Sequence, residues 1–107
     1  MHKVFLPLFA LAALIALPAS AQKKGDAAKG KEVYEQCGVC HASATDEKKM
    51  GPSMKGLYKK TALKNGKKVT DASVAAVINK GGEGMPPFEE ILTAGEMANL
   101  LAYLKTL

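Results

Sequence analysis

At 107 residues the chain has room for one domain. Its formal charge of +5 comes from 15 lysines and no arginine set against 10 acids. Without a guanidinium fork for bidentate base or phosphate contacts, nucleic acid is a poor partner, whereas an excess made wholly of lysine suits salt-sensitive steering toward an acidic protein surface.

Met1, His2 and Lys3 form a short basic lead, residues 4–17 are an apolar run broken only by Pro7, and Ala19-Ser20-Ala21 fits an A-x-A cleavage site before Gln22. Residues 1–21 are therefore expected to be a Sec-type signal peptide, leaving 22–107 as the folded domain. The run is shorter than the roughly 20 apolar residues of a spanning helix. Export to the periplasm is expected, with no stable membrane insertion after cleavage. Loss of Lys3 leaves 14 lysines against 10 acids, a net of +4.

After a short lead of Gln22, Lys23, Lys24 and Gly25, Asp26 stands where its carboxylate can accept from the first free amides of a helix. That helix is predicted over residues 27–36, with Ala27, Val33 and Tyr34 as apolar positions. Gly30 costs helix stability and points to a close approach by another element. Residues 42–69 show no sustained period and read as loops, with a helical turn near 53–59. Thr70 or Asp71 caps a second helix through Val74, Val77 and Ile78, which stops at Gly81. The segment Gly81-Gly82-Glu83-Gly84-Met85-Pro86-Pro87 cannot be helical. Thr93-x-x-Glu96 is a capping box that opens a third helix, with Met97, Leu100, Leu101 and Leu104 on its apolar face.

The chemistry centres on Cys37-Gly38-Val39-Cys40-His41. Two thiols three residues apart can add to the two vinyl groups of a haem while the adjacent imidazole reaches the iron, and C-x-x-C-H is the attachment signature for such a group. A thioredoxin-like pair would need a βαβ context that is missing here. A structural zinc site needs four ligands, and the expected mature chain has two cysteines and one histidine. A plain disulfide would leave the adjacent histidine a coincidence.

A second iron ligand must then come from outside the motif, and methionine sulfur is the obvious source. The candidates are Met50, Met54, Met85 and Met97. Met97 lies on the apolar helix face, and Met50 and Met54 follow closely after the motif around Gly51-Pro52. Met85 lies far enough along the chain to close over the opposite face, the glycines at 81, 82 and 84 let backbone approach a flat ring, and Pro86 and Pro87 stiffen the exit.

With these residues the chain resembles the class I cytochromes c over nearly all of residues 22–107. Gly30 and Tyr34 match the family's glycine and aromatic positions on the first helix, and Leu100 and Tyr103 match their partners on the last. Gly84-Met85-Pro86-Pro87 is similar to the methionine loop of short bacterial members. The resemblance implies an all-α fold of three to four helices around one covalent haem c, with the N- and C-terminal helices crossing. It implies thioether attachment at Cys37 and Cys40, axial ligation by His41 and Met85, and a Pro52 carbonyl that accepts from the other ring nitrogen of His41. A closed six-coordinate iron argues for electron transfer rather than an enzyme. A monomer exchanging single electrons with redox partners that carry acidic docking surfaces is expected, and Leu57, Val77, Ile78, Phe88 and Leu100 are expected to bury the haem. Residues 55–80 are shorter than in mitochondrial relatives and the chain has no tryptophan, which leaves Tyr58, Thr61, Asn65 or lysines as candidate propionate partners.

Overall fold

The computed structural model describes residues 25–107. The expected signal peptide, residues 1–21, lies outside the described residues. Regular structure consists of three helices, α1 (Ala27–Tyr34), α2 (Asp71–Lys80) and α3 (Ala94–Leu104), with a 3₁₀ turn at Leu57–Lys59. Among the described residues there is no strand, only the isolated bridges Ala62–Lys68 and Gly82–Met85. The chain is all-α, as expected.

Each helix begins at a side-chain cap. Asp26 accepts from the amides of Ala28 (2.9 Å) and Lys29 (3.2 Å). Thr70, rather than Asp71, caps α2 in a reciprocal box with Ser73, and Asp71 falls in the first turn, where its charge complements the helix dipole. Thr93 and Glu96 form the predicted box on α3, with bonds of 3.0 and 3.1 Å. Caps of this kind contribute about 1 kcal/mol each. α1 ends at Tyr34, two residues before the expected Gln36. The reason is local: the Tyr34 carbonyl is taken by the amides of Cys37 (2.8 Å) and Gly38 (2.9 Å), which tightens the chain into turns.

α1 crosses α3 at very short range. A Cβ at Gly30 would collide with the Asn99 main-chain carbonyl and come within 2.8 Å of the Tyr103 Cβ. Gly25 meets Ala98 in the same way, and the Asp26 amide donates to the Asn99 side chain at 2.8 Å. The Tyr34 and Tyr103 rings meet at 5.2 Å between centroids. Beneath this seam the core gathers Tyr34, Leu57, Val74, Ile78, Phe88, Leu92, Met97, Leu100, Leu101 and Leu104, with Leu100 only 1% exposed. Val74 and Ile78, one helical turn apart, are the inward positions of α2. Val77, expected to help bury the haem, sits at the edge of that stripe and is 37% exposed.

Candidate cofactor site

The C-x-x-C-H segment follows α1 directly and is wound tightly, with the Cys37 carbonyl accepting from the amides of Cys40 (3.1 Å) and His41 (3.0 Å). His41 is then held from the next loop. Its Nδ1 lies 2.7 Å from the Pro52 carbonyl oxygen. A carbonyl can only accept, so Nδ1 carries the proton and Nε2 keeps its lone pair for a metal. Gly51 lies flat against the ring: a Cβ there would stand 2.6 Å from Nδ1 and 2.9 Å from Nε2. Bonds from the Gly51 amide to the Cys40 carbonyl (2.9 Å) and from the Met54 amide to the Ala42 carbonyl (2.8 Å) fix the two segments side by side.

Met85 closes a tight hairpin. The amides and carbonyls of Gly82 and Met85 exchange bonds of 2.8 and 3.0 Å, and the two turn residues, Glu83 (φ 52°) and Gly84 (φ 89°), both occupy the left-handed region. Positive φ at both central residues is the signature of a type I′ turn. Around Gly82 and Gly84 a Cβ would find open space within the protein, so these glycines serve backbone conformation. Gly81 is the one packed closely, its φ of 63° joined to a Cβ direction only 2.7 Å from Pro86 C and Pro87 N. The Phe88 amide ties the far end of the loop to the Ile78 carbonyl at 3.1 Å.

Cys37, His41, Met54 and Met85 line one apolar cleft, walled by Tyr34, Ile78, Leu100 and Leu104. Four segments distant in sequence therefore converge. Cys40 stands at the rim, with its Sγ 4.0 Å from Met50 Sδ, and both thiols are free. Burial, and then the neighbouring Cys40, push the Cys37 thiol above its ordinary pKa. Of the four candidate methionines, Met50 is 85% exposed, Met97 is core at 9%, and Met54 and Met85 reach the cleft. Met54 is one of the sequence candidates, ranked behind Met85, and its place in the cleft is set by a contact beyond its own neighbours. The bond from its amide to the residue after His41 places it, and that pairing leaves no mark in local composition.

Two thiols, an imidazole with a free Nε2 and a thioether set around apolar walls fit the needs of a covalently attached haem, which requires two sulfur attachments and soft axial donors. Among the described residues no three His, Cys, Asp or Glu side chains gather together. A more open depression lined by Lys29, Glu32, Val33, Gln36, Glu96 and Asn99 holds none of these donors. Among the candidate propionate partners, the Tyr58 hydroxyl donates to Asp71 at 2.8 Å and the Asn65 side chain accepts from the Lys67 amide at 3.0 Å.

Residues 25–104 match the family described as cytochrome C oxidase, cbb3-type, subunit III. The chain is 34% identical over 102 residues to cytochrome c6 of Rippkaea orientalis, covering 94% of this chain and 86% of that one. It is 48% identical over 59 residues to cytochrome c2 of Blastochloris viridis, a match spanning 54% of this chain and 43% of the relative. The structure overlays on cytochrome c6 from the diatom Phaeodactylum tricornutum with a TM-score of 0.61 at 24% identity, covering 77% and 93% of the two chains, which establishes a shared fold. The chain belongs to the class I monohaem cytochromes c. Its cofactor is one covalent haem c, and it is an electron carrier rather than an enzyme.

Proposed function

We propose that this chain is a soluble periplasmic carrier that passes single electrons between redox proteins, holding haem c through Cys37 and Cys40 with His41 and Met85 on the iron. The observation that carries the reading is the convergence of an oriented imidazole, a half-buried thiol and a hairpin-held thioether on one apolar cleft. Haem c supplies a one-electron couple at iron. The chain's own residues set its properties. Pro52 fixes the tautomer and orientation of His41 by accepting from Nδ1, and the Gly82–Met85 hairpin presents a thioether, which favours a higher potential than a second imidazole would. Ile78, Leu100 and Leu104 exclude water, and a low-dielectric wall disfavours the additional charge of the ferric state. Met54 shares the cleft as an apolar wall. The larger separation of Met85 from the motif and its stiff Gly-Pro setting favour it as the ligand.

Residues 1–21 act as the signal peptide in this reading, and among the described residues no helix is long and apolar enough to cross a membrane. Between Glu47 and Asp71 the chain holds lysines 48, 49, 55, 59, 60, 64, 67 and 68 and no acid, all exposed. Val39 (75% exposed) and Met50 (85%) put apolar surface beside Cys40 and next to Lys48 and Lys49. An apolar centre with a basic rim suits a small, transient contact with an acidic redox partner, the protein itself remaining monomeric. Electron-transfer rates with such a partner should fall steeply as salt rises; rates independent of salt would contradict this docking mode.

A further inference from the structure

Tyr34 is the one hydroxyl-bearing residue on the cleft wall, and its hydroxyl donates to the main-chain carbonyl of His41 at 2.7 Å. That bond spans seven residues and closes a loop containing both cysteines. We propose that Tyr34 is a positioning residue for the axial histidine, fixing the His41 peptide so that Pro52 and Gly51 can set the imidazole. The inference rests on the haem reading above.

The peptide groups of His41 are held at both ends, the amide by the Cys37 carbonyl at 3.0 Å and the carbonyl by Tyr34. With the main chain fixed, one further bond from the ring to Pro52 at 2.7 Å determines how the imidazole stands. Packing alone would be satisfied by phenylalanine, since the Tyr34 ring is 6% exposed and already stacked at a tilt of 55° on Tyr103. The hydroxyl is the part that packing does not require. A phenol hydroxyl can donate to a carbonyl, and a phenylalanine in its place would leave that carbonyl without this partner. Tyr103, on α3, packs against the Tyr34 ring, while the bond to the His41 carbonyl is made by the Tyr34 hydroxyl alone.

The test compares holoprotein carrying Tyr34→Phe or Tyr103→Phe with wild type. Two readouts are followed, the paramagnetically shifted His41 ring resonances of the oxidised form and the midpoint potential. Tyr34→Phe should shift both with haem still attached and low-spin, while Tyr103→Phe, which retains the Tyr34 bond, should leave them in place. Unmoved His41 resonances in Tyr34→Phe, or equal shifts in both variants, would overturn the proposal. If Tyr34→Phe does not accumulate folded, isotope-labelled wild type decides the matter. A through-bond coupling between the Tyr34 hydroxyl proton and the His41 carbonyl carbon is expected, and its absence would overturn the proposal. A wild-type protein lacking haem would contradict the function proposed above, whereas the coupling concerns protein atoms and reports on Tyr34 separately.

Discussion

The α1–α3 crossing and the loops around the cleft are held together in different ways. At the crossing, main chain lies against main chain: Gly25 and Gly30 face Ala98 and Asn99, and helix packing is complete within the protein. Around the cleft, the only regular elements between residues 41 and 70 are a three-residue 3₁₀ turn and an isolated bridge, and single hydrogen bonds to His41, Ala42 and Met85 set the chain's course. A domain this small buries limited apolar surface of its own, so a haem seated in the cleft, as proposed, would be a large part of the core on that side. Stability and redox chemistry should therefore be separable by mutation, with one region carrying the first and the other carrying both.

The largest effect is expected at the cleft. Met85→Ala removes the hairpin's thioether, and the loss of low-spin six-coordinate iron together with a fall in potential should follow, read by absorption and redox titration. Retention of the wild-type spectrum would transfer the ligand role, with Met54 next in line because it shares the cleft. At the crossing, Gly30→Val drives a side chain into the Asn99 carbonyl and should cost about 3 kcal/mol in denaturant unfolding while leaving the haem spectrum of the folded protein unchanged. A spectral change there would show that the two regions are not independent.

A smaller effect is expected where the chain's last helix meets the loops. Asp71 accepts from Lys105 (3.0 Å) and Tyr58 (2.8 Å), and these bonds, that of Lys105 foremost, hold its carboxyl below the ordinary 3.8. A lowered folded value means that the contribution is complete above the unfolded pKa and is lost as pH falls through the folded one. The pair is about half exposed, so the contribution is only about 0.5 kcal/mol. Asp71→Asn should lower the melting temperature slightly at pH 7 and converge with wild type as the pH drops below 3.8, and an equal deficit at both ends of that range would reject the ion pair.

Legibility in the sequence followed the same division. The helices were readable because their caps are local: Asp26, Thr70 with Ser73, and Thr93 with Glu96 each act within three residues. The C-x-x-C-H motif was equally local. The contact between Pro52 and His41 came from family resemblance, since eleven residues separate the two. Gly25 read as part of a flexible lead, yet it packs against α3, because a glycine's value there depends on a helix more than 70 residues away. The Tyr58–Asp71–Lys105 cluster spans three segments, and Lys105 carries nothing in its neighbours to announce an acid 34 positions earlier. Tyr34 was identified as a helix-contact aromatic, while its bond to the His41 carbonyl emerged only when the turns after α1 were laid out.

The central claim is that an iron porphyrin is bound through two cysteine sulfurs and clamped between an imidazole and a thioether. Absorption spectra of the purified protein, oxidised and reduced, test it most directly. Low-spin spectra typical of thioether-attached haem, with methionine–iron ligation visible in the oxidised form, are the predicted result. Colourless protein with both thiols free, from a host able to mature such proteins, would contradict it.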